Sequence, residues 1–112
     1  MSLNAIQMVS NTQLPSAAAA QYACPLNSRV IIRHVVFTNT DSSARTVTAH
    51  IVPSGGSLSN ATMVIDAQSI AAGAAYVSPE LSGLVLNAGD QLECFADTGA
   101  KVTMNASGIQ QT

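Results

Sequence analysis

The sequence predicts an all-β domain, an antiparallel β-sandwich of about eight short strands in a jelly-roll-like arrangement. The run Arg29–Phe37 is rich in Val and Ile, whose branched side chains fit a pleated sheet better than a helix. The run Arg45–Val52 alternates apolar and polar residues, as a strand with one buried face does. Turn-forming clusters recur about every 8–12 residues, and no stretch has the period of a long helix.

The two long runs flank a polar segment, Thr38–Ser43, whose short side chains favour turns by bonding their own backbone. We therefore expect the runs to pair as a hairpin at the centre of the domain. In that hairpin His34 lies across from Ala49 or His50, so the two imidazoles are neighbours. No carboxylate lies on either run, and we expect both histidines to be structural rather than catalytic or metal-binding.

The remaining strands are predicted from shorter apolar or alternating stretches bounded by turn residues. Leu3–Val9 forms a strand or an arm, and the alanine run after Pro15 belongs to a strand that ends at Pro25. Later strands are expected at Met63–Ile65 and Ser69–Ala71 (or one broken strand), Ala74–Val77, Leu84–Leu86, Gln91–Ala96 and Lys101–Ala106. Residues 1–15 are thus an N-terminal arm or first strand, and residues 16–112 complete the sandwich of a single domain.

Charge is scarce in this chain. Of its 112 residues 47% are hydrophobic and only 9% are charged, with a net charge of −2. Charged residues make up about 25% of an average soluble domain. Two explanations stay open. The protein is either a small neutral domain or one whose surface is largely covered by partners, since the cores of interfaces are depleted of charge.

Several classes of partner are disfavoured by the same composition. The four cations form no run, so the basic footprint of a nucleic-acid-binding protein is absent. No stretch approaches the ~20 apolar residues of a membrane span. The first residues lack the basic start and apolar centre of a signal peptide, which predicts synthesis and retention in a cytoplasm.

The sequence also offers no set of residues for catalysis. The six acids are dispersed and mostly lie at predicted turns, where we expect them to cap the backbone. Cys24 and Cys94 are expected to be free thiols buried as small hydrophobic residues. With no nucleophile–base pair and no metal-ligand spacing, we predict neither an enzyme nor a cofactor or metal site.

Three segments together resemble small virion proteins of tailed bacteriophages: Arg33–Asp41, Thr46–Gly56 and Leu86–Leu92, with the pattern TNTD…TV…VPSGG…AGD. In size and strand rhythm the chain is similar to the β-sandwich decoration (cement) proteins of short-tailed phages. The resemblance implies a non-enzymatic virion protein, assembled in the bacterial host cytoplasm, that binds the major capsid protein lattice and stabilises the head shell. A tail- or fibre-associated role is an alternative. A small carbohydrate-binding β-sandwich is less favoured, because the chain has no Trp for sugar stacking.

The N-terminal segment is the candidate surface for partner binding. Residues 1–15 carry no charge, and their apolar candidates for contact are Leu3, Ile6, Met8 and Val9. Sheet edges without charge or proline invite strand addition, so we expect self-association, as a homodimer, through a sheet edge or this segment. The alternative is that the segment is the first strand of the core.

Overall fold

Nine β-strands and one short helical turn follow one another in the computed structural model, which describes residues 2–112. The strands are β1 (Leu3–Gln13), β2 (Ala19–Ala23), β3 (Arg29–Asn39), β4 (Arg45–Val52), β5 (Met63–Ile70), β6 (Ala75–Val77), β7 (Val85–Leu86), β8 (Gln91–Ala96) and β9 (Val102–Gln111). The 3₁₀ turn Asn60–Thr62 precedes β5. Met1 belongs to the predicted N-terminal segment and lies outside the described residues.

The strands form two antiparallel sheets with jelly-roll connectivity. Sheet A has the order β1-β9-β3-β6, with β7 also pairing with β3, and sheet B has the order β2-β8-β4-β5. Since β6 and β7 follow one another along β3, the nine strands fill eight positions. The pairs β1·β9, β2·β8, β3·β6 and β4·β5 are nested along the chain and alternate between the sheets. The predicted fold class is confirmed.

The alternation of side chains in β3 changes phase at a bulge. Ile32 is buried, and after a register shift between Ile32 and His34 the buried residues are Val35 and Phe37. Arg33 and His34 are consequently both exposed. An extra residue in one strand reverses the face on which the following side chains lie, and here it keeps the long Val- and Ile-rich run in contact with the core.

The core between the sheets is almost wholly aliphatic. Its largest fully buried apolar side chains are Phe37, Leu14, Ile32, Leu81, Leu86, Leu92 and Met104. Sheet B adds small buried residues that include Ala49, Cys94 and Ala96. Burial of this apolar surface is the main favourable term in folding, and the small residues on sheet B are where the Ala-rich composition enters the core.

The predicted central hairpin is wrong. β3 belongs to sheet A and pairs with β9, β6 and β7, whereas β4 belongs to sheet B and pairs with β8 and β5. The residues between the two strands cross from one sheet to the other instead of returning in the same sheet. In a sandwich each strand buries one face against the opposite sheet, so two consecutive strands in different sheets show the same alternation as a hairpin.

Candidate interaction surface

The two histidines do not come together. His34 lies in sheet A opposite Ser107, whereas His50 lies in sheet B. The prediction that their rings are neighbours is wrong, because it depended on the β3–β4 hairpin. His50 is buried, with its Nδ1 2.9 Å from the Thr62 hydroxyl oxygen and its ring stacked on Phe95 at a centroid distance of 6.3 Å. These contacts fit a structural histidine.

Other chemistry-bearing side chains are dispersed. Among residues 2–112, no group of three or more His, Cys, Asp or Glu side chains could hold a metal ion. No helix in this part of the chain is long and apolar enough to cross a membrane. A shallow cavity of about 390 Å³ is lined by Asn27, Ser28, Arg29, Asn87, Ala88, Gln111 and Thr112. Its single charged side chain, Arg29, has no acid beside it in that lining, so the cavity offers no acid–base pair.

Asp90 has a structural role in the turn between β7 and β8. Its carboxylate accepts hydrogen bonds from the backbone N–H groups of Asn87 at 2.9 Å and Ser54 at 3.1 Å. Gly89 beside it has a φ of 84°, a left-handed conformation that favours glycine. A Cβ at this position would lie 2.5 Å from the Ser54 hydroxyl oxygen. The prediction that acids at turns cap the backbone is confirmed for Asp90.

Both cysteines are free and buried, as predicted. Burial raises the pKa of the Cys24 thiol, and the nearby Asp90 carboxylate raises it further. Burial also raises the pKa of the Cys94 thiol, with a smaller contribution from Glu93. Since the thiolate is the reactive form of cysteine, neither side chain is prepared for nucleophilic chemistry or metal binding.

The outer surface of sheet A carries a patch of aliphatic side chains, of which Ile109 is partly buried and the others are exposed. Ile109 of β9 lies between Ala5 of β1 and Ile31 of β3, and Ile31 lies opposite Val85 of β7. Leu3 lies two residues before Ala5 on the same side of β1. The exposed fractions are 64% for Leu3, 40% for Ile31 and 46% for Val85. We call the patch formed by these five residues the A face.

The A face is accompanied by cations and by no acid. Arg29 and Arg33 are exposed residues of β3. Among residues 2–112 the ion pairs are made by Arg45, with Asp41 at 2.6 Å and Asp97 at 3.9 Å. None of the six acids lies on a strand of sheet A. Arg is enriched and Asp and Glu are depleted at protein–protein interfaces, so the charges beside the A face are those that an interface favours.

The four residues predicted for partner binding are divided between the surface and the core. Leu3 is exposed in the A face, and Ile6 is partly buried against the core. Met8 and Val9 are only 7% and 3% exposed, and the strand has a register shift between Gln7 and Val9. Partner binding by this segment stays a prediction, and of the four residues Leu3 alone presents a largely exposed side chain.

Sequence reasoning missed the A face because strand pairing, and not proximity along the chain, assembles it. Ile31 and Ile109 become neighbours only through the β3–β9 ladder. The sequence does contain one signal, since Ile31 is apolar although both its neighbours Val30 and Ile32 face the core. A strand that is apolar on both sides has a second face to cover.

Comparison with known proteins identifies a shared fold. No protein-family model and no curated protein sequence matches this chain. A chain in the structure of the infectious bursal disease virus Gx strain matches with a TM-score of 0.54 and 14% identity, covering 97% of this chain and 30% of that one. A chain of the T13 particle of the same virus matches with a TM-score of 0.54 and 12% identity, over 97% of this chain and 30% of that chain.

A mutant VP2 protein of that virus, in T=1 particles, matches with a TM-score of 0.53 and 12% identity, over 97% of this chain and 30% of that chain. The chain shares its fold with part of VP2. It spans about a third of the length of the viral chains that it matches. Identity at this level establishes the architecture, and function has to be argued from the surface.

Proposed function

We propose that the protein is a non-enzymatic structural component of a virion, and specifically a decoration (cement) protein of the capsid. The observation that carries the proposal is the jelly-roll sandwich, whose likeness to chains of the infectious bursal disease virus particle extends over 97% of this chain. The resemblance of three sequence segments to tailed-phage virion proteins supports the finer assignment to a head shell. In this role the protein's partner is the lattice of the major capsid protein.

The A face supports this role as a surface for lattice contact. Ile31, Val85 and Leu3 are exposed aliphatic side chains on a rigid sheet, and no acid lies on the strands of that sheet. Burying them against a neighbour would gain roughly 25 cal/mol per Å² of apolar surface. Arg29 and Arg33 would supply directional hydrogen bonds at the rim of such a contact.

Selective binding would be sufficient for stabilisation of a shell. A protein that binds the assembled lattice and not the free subunits shifts the equilibrium towards the lattice by mass action. This function requires rigidity and a complementary surface but no turnover. The dispersed titratable groups of residues 2–112 and the buried thiols are compatible with it.

Removal and restoration of the protein test the proposal. Particles produced by a virus lacking this gene are compared by cryo-electron microscopy and by heat-induced genome release with normal particles. We expect a layer of density on the head shell to disappear and release to occur at a lower temperature. Addition of purified protein should restore both properties.

Two surface variants sharpen the restoration experiment. Ile31→Lys places a charge in the A face and should fold but fail to restore the particles. Asp66→Lys introduces the same side chain at an exposed position of β5, in the other sheet, and should restore them. Loss of density from the tail instead of the head would favour the tail- or fibre-associated alternative. Unchanged particles would refute a virion role.

A further inference from the structure

The first strand of sheet A has an edge suited to pairing with another strand. β1 spans 11 residues, the joint longest strand of the molecule, and contains neither a charged residue nor a proline. Its partner β9 occupies one side, and no strand within residues 2–112 pairs with the other. Soluble proteins usually protect such an edge with charge, proline, bulges or short length.

The other edges of the sandwich are protected in these ways. β5 carries the exposed Asp66, and Ala67 beside it has a φ of 47°, which bends the strand. β2 has five residues and a register shift, and Pro25 follows it closely. On the far side of sheet A, β6 and β7 have three and two residues, with Glu80 between them. β1 has register shifts of its own after Gln7, and Asn11 has a φ of 38°, so the regular and unprotected part of this edge is Leu3–Gln7.

The hydrogen bonds at the start of β1 establish which groups face its open side. Ser2 donates to the Thr112 carbonyl at 3.1 Å and accepts from the Thr112 N–H at 2.9 Å. The register is regular from Leu3 to Gln7. In an antiparallel ladder alternate residues bond the same neighbour. The N–H and C=O groups of Leu3, Ala5 and Gln7 therefore point away from β9, towards the open edge.

We propose that residues Leu3 to Gln7 pair antiparallel with the same segment of a second copy, about a two-fold axis at Ala5. Ala5 then lies opposite Ala5 of the second copy, and Leu3 lies opposite Gln7 of the second copy. Each N–H that faces the edge meets a C=O of the other chain, and each C=O meets an N–H. The two copies of sheet A become one continuous sheet.

The side chains of this segment favour a second copy as the occupant. A two-fold axis brings identical residues together, so a charged side chain at its centre would be repelled by its own copy. Ala5 is small and uncharged at the axis, and Leu3, exposed by 64%, packs against the uncharged Gln7 opposite it and diagonally against Ala5 of the second copy. The axis is perpendicular to the sheet, because it relates paired antiparallel strands. Both A faces consequently lie on the same side of the dimer.

A proline at Ala5 tests the pairing without disturbing β9. The N–H of Ala5 faces the open edge, where proline is tolerated, so Ala5→Pro should fold but lose the two central hydrogen bonds of the dimer, one from each copy. Ala5→Ser keeps the N–H and is the matched control. Sedimentation velocity from micromolar to hundreds of micromolar protein should show a dimer for the wild type and Ala5→Ser. The dimer dissociation constant of Ala5→Pro should be larger than that of the wild type by about tenfold or more.

A charge variant keeps the test valid if Ala5→Pro is destabilised. Ala5→Lys places two ammonium groups near the axis and should also give monomers. Val77→Lys adds the same charge to the exposed outer side of β6, at the opposite edge of sheet A, and should leave the dimer intact. A wild-type monomer throughout this range, or a dimer that persists in Ala5→Lys, would overturn the pairing. The measurement uses purified protein alone. A negative result would therefore refute the pairing of β1 without deciding whether the protein binds a head shell.

Discussion

Asn39 in sheet A donates a hydrogen bond from Nδ2 to the backbone carbonyl of Ile70 in sheet B, at 3.0 Å. The same amide group reaches the carbonyls of Ser43 at 2.9 Å and Ala71 at 3.3 Å, and its Oδ1 accepts from the Asp41 N–H at 2.9 Å. The side chain is fully buried. One residue therefore links the last residues of β3 to the end of β5, at the place where the chain crosses between the sheets.

Replacement of Asn39 should be costly. Asn39→Ala leaves buried carbonyls without a donor, and we expect the free energy of unfolding to fall by about 1–3 kcal/mol. Asn39→Asp places a carboxylate against the same carbonyl oxygens and should cost at least as much. Asn105→Ala is the control, because its hydrogen bond to Asn11 is exposed. Urea denaturation at neutral pH measures all three, and equal losses for Asn39→Ala and Asn105→Ala would contradict the assigned role.

Gly108 marks a close approach of strands in sheet A. A Cβ at this position would lie 2.6 Å from the Ile31 carbonyl oxygen and 3.0 Å from the Met8 sulfur. Gly108→Ala should lower the free energy of unfolding by about 1–3 kcal/mol, the usual cost of overpacking. Gly99→Ala is the matched control, since nothing lies closer than 3.8 Å to its Cβ position. Thermal denaturation of both variants distinguishes steric crowding from a general effect of replacing glycine.

Tyr76 and Glu80 form a hydrogen-bonded titrating pair at the surface. The Tyr76 hydroxyl donates to both Glu80 carboxylate oxygens, at 2.6 and 2.7 Å. Burial, followed by this hydrogen bond, raises the pKa of Tyr76 to about 12. The hydrogen bond from Tyr76 lowers the pKa of Glu80. In a Tyr22→Phe background, absorbance titration should show phenolate forming near pH 12, and Glu80→Gln should shift the midpoint downward.

Because the pKa values of Tyr76 and Glu80 are shifted in the folded protein, the free energy of unfolding depends on pH. The ionised Glu80 side chain stabilises the folded state above its ordinary pKa, and this stabilisation is lost as the pH falls through its lowered pKa. The contribution of Tyr76 is present below its ordinary pKa and is lost as the pH rises through about 12. Tyr76→Phe should remove the alkaline dependence and reduce the acid one, because the Ser78 hydroxyl, 3.1 Å from the carboxylate, also lowers the pKa of Glu80. A Tyr76 that titrates at its ordinary pKa would show that the hydrogen bond does not persist in solution.

The thiols should be unreactive until the protein unfolds. Cys24 is 3% exposed and Cys94 is fully buried, and burial raises the pKa of each. Alkylation under non-reducing conditions should modify neither thiol in native protein and both after denaturation, as mass spectrometry can show. Protein that is two daltons lighter and takes up no label would instead contain a disulfide.

Removal of residues 1–9 should destabilise the whole domain. The deletion takes away the buried Met8 and Val9 and leaves one side of β9 unpaired from Ala106 to Gln111. Melting temperature and solubility should fall together with any binding to particles. Leu3→Ser is the control, because it alters an exposed residue and should leave the melting temperature nearly unchanged. A truncated protein that melts normally but fails to bind particles would instead show that the N-terminal segment serves partner binding and is not a strand of the core.

The class of the fold and most of the strands can be predicted from local residue patterns. The strand at Arg45–Val52 and the turn around Asp90 reflect interactions between neighbours in the chain, and both appear in the structure. The expectation that this strand buries one face is wrong, since Thr48 and His50 are buried as well as Val47 and Ala49. The pairing of β3 with β9 does not follow from such patterns. A strand in a sandwich alternates identically whether its partner is adjacent or distant in sequence, so the hairpin and the meeting of His34 with His50 were plausible but wrong.

The candidate surface was predictable only in part. The absence of charge from β1 is visible in the sequence and identifies an edge suited to pairing. The burial of Met8 and Val9 side by side depends on a register shift, which adjacent apolar residues do not reveal. The A face forms because β9 lies between β1 and β3. This order of strands cannot be inferred from the residues of any one strand.

The nested connectivity has a consequence for the order of events in folding. β9 separates β1 from β3, and β8 separates β2 from β4, so each sheet lacks a central strand until the later part of the chain has been synthesised. Pairing Leu3 with Gln111 closes a loop of nearly the entire chain. Such non-local topologies fold in about milliseconds to seconds, whereas helical bundles take microseconds to milliseconds. Until β9 has paired with both, the inner edges of β1 and β3 are open, and the chain is most exposed to mispairing with strands of other copies.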